Sequence, residues 1–138
     1  MKSKGFEDSL SLRLLHVPGS FAVCKLAVES PIPSWATTGS FFSVTRTADE
    51  LSIVCSQDVV PEGIVCERGW RCLRVAGSMP FTCVGVLASL TTAVAKAGVG
   101  VFAFSTFDTD YLLVQADDLQ KAIAALREAG HDVEQVEG

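Results

Sequence analysis

Six consecutive residues hold much of what this chain offers for binding: Ser105-Thr106-Phe107-Asp108-Thr109-Asp110. Hydroxyls and carboxylates at this density supply acceptors for a cationic or N–H group. They lie between two apolar runs, Val101 to Phe104 and Tyr111 to Val114, each of strand length, so the insert reads as the tip of a hairpin. A second candidate lies upstream, where Phe81-Thr82-Cys83-Val84-Gly85-Val86 leads into an expected helix over 84–97. The first N–H groups of a helix have no intrahelical partner and carry positive partial charge, which suits a carboxylate. Gly85 has no side chain and permits close approach. Each residue also has a plainer role. Asp108 and Thr109 are turn formers, Ser105 and Thr106 are ordinary strand residues, and Gly85 suits close helix–sheet packing. Arg46 and Asp49, on an earlier hairpin, either face the same cleft or form a solvated surface.

Other chemistries find little support. Gly98-Val99-Gly100-Val101-Phe102-Ala103 has the spacing of a dinucleotide-binding string, but a helix precedes it and a strand follows, the reverse of what that fingerprint needs. There is no P-loop and no GxSxG. His16 and His131 are far apart and stand in no metal or triad spacing. No catalytic residue, metal ligand or cofactor site is expected, and the chain is read as a non-enzyme. Cys24, Cys55, Cys66, Cys72 and Cys83 form no CxxC pair and sit among apolar residues, so they are expected to pack as small hydrophobes. A net charge of −5 argues against nucleic acid and against an anionic membrane surface. No apolar run nears the roughly 18–20 residues of a membrane span. The N-terminus lacks a signal-peptide pattern, so a cytoplasmic location is expected.

The remaining elements must position these residues. The 138 residues, 49% hydrophobic and 20% charged, suit one domain or two small units. Pro18-Gly19 fits the centre of a type II turn and predicts a hairpin of 12–17 with 21–27. Residues 28–40 form a loop with Trp35 as an anchor on the core. Phe41 to Thr47 and Leu51 to Ser56 form a second hairpin, and 57–69 a loop with a brief helical turn near 56–60. A strand at 70–75 precedes the helix of 84–97, whose stripe is Val86, Leu87, Leu90, Ala93, Val94 and Ala97, with Gly98 as its stop. A second helix starts at Asp117, with Gln120 completing a capping-box-like pair and Leu119, Ala122, Ile123 and Leu126 as its stripe. Gly130 ends it, and 131–136 is a closing strand. Residues 70–138 therefore read strand, helix, strand, strand, helix, strand. This is the βαββαβ order of an α+β ferredoxin-like fold, with an antiparallel sheet and helices on one face. Residues 10–69 give a similar order with the first helix reduced.

The text PGSFAVCKL at 18–26, FFSVTRTADELSIVC at 41–55, WRCLRVAG at 70–77, GVLASL at 85–90 and VFAFSTFDTDYLLV at 101–114 resembles tandem ACT-like proteins related to the cytosolic arginine sensors of animals. The last segment is the most specific. The resemblance implies two ACT-like units, 10–69 and 70–138, often completed by dimerisation, in a regulatory or sensor protein that binds an amino acid or similar small metabolite. It places the ligand where the loop before a first helix meets the second strand of a neighbouring unit. Here those segments are Phe81, Thr82, Cys83, Val84, Gly85 and Val86, and Ser105, Thr106, Phe107, Asp108 and Thr109. The ligand's carboxylate would take the helix start and its ammonium the hairpin acceptors. The alternative is a protein-interaction or structural module whose pocket is lost.

Overall fold

In a computed structural model, described for residues 11–77 and 84–135, the chain is a mixed α+β protein. It divides into two compact units, one of Gly19–Trp70 and one made of the chain up to Pro18 together with everything from Arg71 on.

The Gly19–Trp70 unit contains strand β2 (Ser43–Arg46), strand β3 (Leu51–Ser56), the trailing part of β1 (Arg13–Leu26) and the leading part of β4 (Val65–Val75). Its strand order is β2-β3-β1-β4. Pairing of β1 with β3 is antiparallel, from Phe21 opposite Ser56 to Leu26 opposite Leu51. β2 pairs with β3 around the expected loop, where the Thr47 N–H donates to the Glu50 carbonyl at 2.9 Å. The connections carry only 3₁₀ turns, Ser34–Thr37 and Gln57–Val59. Period-2 alternation puts Ala22, Cys24, Ile53 and Cys55 into one buried cluster with Leu51, Ala36 and Val60, and Trp35 packs against it as expected.

The expected hairpin at 12–17 and 21–27 does not form, because Arg13–Leu26 is one strand. Pro18-Gly19 marks the place where that strand leaves one unit for the other. Gly19 takes φ +105°, open to glycine at little cost, so the chain can bend there without reversing. A Pro-Gly pair serves a turn and a bent strand equally well, and strand pairing on either side decides between them.

The second unit holds the leading part of β1, the trailing part of β4, helix α1 (Val86–Lys96), β5 (Phe102–Ser105), β6 (Asp110–Gln115), helix α2 (Leu119–Glu128) and β7 (Asp132–Glu134). Its strand order is β7-β1-β4-β6-β5. β5 and β6 pair antiparallel as the hairpin reading required, Phe102 opposite Leu113 and Ser105 opposite Asp110. β7 instead runs parallel to β1, Arg13 opposite Asp132 and Leu15 opposite Glu134, so an all-antiparallel sheet is corrected here. Both helical stripes face the core. Val86, Leu90, Ala93 and Val94 join Leu119, Ala122, Ile123 and Leu126 in a cluster with Leu73, Val75, Leu112 and Val114. Burying each large aliphatic side chain contributes about 1.5–3 kcal/mol.

Both helices stop at the glycines that the sequence indicated. Val99 N–H reaches the Val94 carbonyl at 3.1 Å and Gly98 N–H the Ala95 carbonyl at 2.9 Å. His131 N–H and Gly130 N–H repeat the pattern at 3.0 Å each, on Leu126 and Arg127. These are paired Schellman bonds, which satisfy carbonyls the helix leaves open. The expected capping box at Asp117 and Gln120 is absent. A 3₁₀ turn, Ala116–Asp118, runs directly into α2, and Asp118, at the N-cap, makes no side-chain cap bond. The Leu119 N–H is already taken by the Ala116 carbonyl, so the tighter turn replaces the cap.

Candidate functional site

The β5–β6 hairpin closes through Thr106 and Thr109. Thr106 N–H donates to the Thr109 carbonyl at 2.8 Å, and the Thr109 N–H reaches Thr106 Oγ1 at 3.4 Å. Ser105 Oγ donates to Asp110 Oδ1, its cross-strand partner. The four-residue connection leaves Phe107 and Asp108 at the tip, both exposed. Thr109 turns the other way. It is 7% exposed, and its Oγ1 donates to the carbonyl of Val75, the last residue of β4, at 2.7 Å. The hairpin tip is thus bolted to the end of the strand that precedes α1. Phe104 and Tyr111 stiffen the hairpin further by stacking at 5.2 Å with planes 7° apart.

Of the second predicted segment, Phe81, Thr82 and Cys83 lie outside the described residues. Val84 is exposed. Gly85 is the N-cap of α1 at φ +80°, ψ 9°, and no described side chain caps the helix. Its carbonyl accepts the Ser89 N–H at 2.9 Å, so the backbone at the helix start is set. Val86 is buried with Val75 and Val114 and packs the core. Thr109 ties the hairpin to the end of β4 and Val86 packs into the core, while Gly85, Phe107 and Asp108 stand nearer the surface. The Val75 carbonyl is a contributor that the sequence did not point to, and its contact with Thr109 has no local signature. Asp110, the last residue of the polar insert, is taken up by Ser105 across the strands.

Arg46 is engaged within its own unit. Its guanidinium donates to the Val28 carbonyl and, at 2.6 Å, to the Ser30 carbonyl, clamping the loop after β1. The buried histidines are both held. His16, 2% exposed, has Nε2 3.2 Å from Arg71 Nη2, and His131, 4% exposed, lies 3.2 Å from Ser89 Oγ. Cys24, Cys55 and Cys72 are buried free thiols, and Cys66 is half-buried. Burial pushes Cys24 and Cys72 up to about 12. Among the described residues no group of three or more His, Cys, Asp or Glu side chains is arranged to hold a metal ion, and no helix is long and apolar enough to cross a membrane.

A groove of about 420 Å³ lies between α1 and α2, with Lys96 and Glu128 among small residues such as Ala93, Ala97 and Ala125. It contains none of the predicted site residues. Its one buried polar side chain, Ser89, is already hydrogen-bonded to His131.

Comparison with known proteins agrees with this layout. A family model described as an ACT domain matches residues 65–128, and a model for a family-specific N-terminal domain matches residues 19–63. The crystal structure of a protein from Agobacterium tumefaciens is 37% identical, with TM-score 0.89, covering 94% of this chain and 97% of that one. A Vibrio cholerae protein of unknown function, for which a transport role has been suggested, superposes with TM-score 0.71 at 16% identity over 91% of this chain and 92% of its own. The ligand-free regulatory subunit of aspartate kinase from Thermus thermophilus superposes with TM-score 0.61 at 11% identity, covering 84% of this chain and 95% of that one. The last two likenesses are of fold alone. None of the curated proteins matches the sequence. The identity to the Agobacterium protein, sustained over nearly the whole of both chains, shows that this chain belongs to that protein's family, and the family-model match shows that residues 65–128 carry an ACT domain.

Proposed function

We propose that the protein is a non-catalytic regulatory module that binds a small metabolite, an amino acid first among the candidates, at the β4 end of the second unit. Two observations support this reading: helix α1 starts at a left-handed Gly85 with no described side-chain cap, and Thr109 fixes the hairpin tip to the end of β4. Such a helix start offers N–H donors and positive partial charge to a carboxylate. The hairpin supplies hydroxyls and the Asp108 carboxylate to an ammonium.

The strand orders support a tandem of ferredoxin-like units. In Gly19–Trp70 the order β2-β3-β1-β4 follows that pattern with both helices shrunk to 3₁₀ turns. In the second unit β4, α1, β5, β6, α2 and β7 follow in the expected sequence, and β1 stands between the first and fourth strands. The proposal includes a cytoplasmic homodimer, in the manner of the arginine-sensor relatives that the sequence resembles. A ligand bound there would then shift assembly through its differential affinity for the two states.

A thermal-shift screen of the twenty amino acids and common nucleotides tests it. One or a few amino acids should raise the melting temperature, because a ligand that binds only the native state stabilises it. A uniformly flat screen rejects the ligand. It would favour the second reading, a protein-interaction module.

A further inference from the structure

We propose that His131 is a proton-released clasp on the leading end of β1: its neutral ring holds Leu12, and protonation lets that end go. The ring is fixed from several sides. His131 directly follows Gly130 in the Schellman motif that closes α2, and its own N–H donates to the Leu126 carbonyl at 3.0 Å. Nδ1 accepts the Leu12 N–H at 3.1 Å, and Nε2 lies 3.2 Å from the buried Ser89 Oγ on α1. A nitrogen that accepts an N–H carries no proton, so the neutral ring has its hydrogen on Nε2 and donates it to Ser89. Beside this pair the Asp132 N–H donates to the Leu12 carbonyl at 2.8 Å, and Ser11 Oγ donates to the Gly130 carbonyl at 2.9 Å. One ring thereby joins α1, the end of α2 and the start of β1, next to the parallel β1–β7 pairing.

Adding a proton has two consequences. An Nδ1–H would point at the Leu12 N–H, donor against donor, and a cation would sit in a site that is 4% exposed. Among the described residues no neighbouring carboxylate is placed to compensate. On β1 and β7, Arg13 is paired with Asp132 and Glu134 at the surface. On α2, Arg127 donates to the Val133 carbonyl at 2.7 Å, and Glu128 is exposed toward the helix groove. α1 meets the ring through the neutral Ser89, with Lys96 in that same groove. Burial alone lowers the His131 pKa below its ordinary 6.5. The opened form therefore binds more protons than the closed one below about pH 6.5. The closed form is fully favoured above that value and loses up to about tenfold in population ratio per pH unit as acid is added, until the folded-state pKa is reached.

The test is NMR of the full-length, ¹⁵N-labelled chain from pH 7.5 to 5. Imidazole ¹⁵N shifts should show His131 neutral with its proton on Nε2 at pH 7. The exchange protection of the Leu12 amide, corrected for its intrinsic rate, should fall by up to about tenfold per unit below pH 6.5. His131→Asn keeps an acceptor near the Nδ1 position that does not titrate, so Leu12 should stay protected with a flat profile. An Nδ1–H tautomer or a charged ring at pH 7 overturns the proposal, as does the same acid-dependent loss in His131→Asn. If the variant does not fold, the wild-type tautomer and the Leu12 profile decide the matter.

Discussion

Thr109→Val is the sharpest probe of how the hairpin is held. The substitution is nearly isosteric and removes only the hydroxyl that donates to the Val75 carbonyl at 2.7 Å, in a site 7% exposed. No cavity opens, so the cost is that of a buried hydrogen bond. Such a bond contributes about 1 kcal/mol net, and a buried carbonyl left without its donor costs about 1–3 kcal/mol. Because a carbonyl has a second lone pair to engage, we expect about 1–2 kcal/mol of destabilisation, or roughly 4–7 °C in Tm for a chain of this size. Urea denaturation with unchanged slope would give the free energy. Thr109→Ser keeps the hydroxyl and should recover most of the loss. Amide exchange should quicken at Thr106, whose N–H closes the same turn. The reasoning fails if Thr109→Val lies within about 0.3 kcal/mol of wild type, below what a buried bond is worth. It also fails if Thr109→Ser is as damaging as Thr109→Val, since the hydroxyl would then not be the active group.

Two further substitutions and one labelling experiment follow from the same geometry. Gly85→Ala puts a Cβ at φ +80° and should cost about 1–2 kcal/mol, read by thermal melting, whether or not a ligand binds. Asp108→Ala, at the exposed tip, should weaken binding of the ligand's ammonium, read by titration calorimetry with thermal melting as the control for the fold. Iodoacetamide at pH 8, followed by peptide mass mapping, should modify half-buried Cys66 well before Cys24 and Cys72. Those two are buried thiols pushed up to about 12, so almost none of either is thiolate at that pH.

Much of the second unit was legible because its signals are local and redundant. The α1 and α2 stripes have helical spacing, and Gly98 and Gly130 stand where the Schellman bonds require them. The hairpin was legible for a similar reason: two apolar runs flank a polar insert whose length sets Ser105 opposite Asp110. Elsewhere the decisive partner was distant in sequence. Pro18-Gly19 looks like a turn until β1 is paired with β3 on one side and with β7 on the other. The parallel sense of β7 follows from which strand it meets, and nothing in His131-Asp132-Val133-Glu134 encodes that. The same holds for the candidate site. The composition of the insert marked it for attention, but only the Val75 contact separates inward Thr109 from outward Phe107 and Asp108. The helix was expected over 84–97 and begins at Val86, while the left-handed backbone of Gly85, which makes the glycine a conformational requirement, came from the structure.

If the β4 end of the second unit receives the carboxylate and ammonium of a small metabolite, free amino acids should bind there. Isothermal titration of each of the twenty amino acids into the wild-type chain and into Asp108→Ala tests it most directly. We predict saturable heat with one or a few amino acids. The effect should include stabilisation approaching about 2.7 kcal/mol at a hundredfold excess over Kd, and binding should be lost or much weakened in Asp108→Ala with the fold intact. Absence of heat from all twenty, or equal affinity in the variant, would contradict the account.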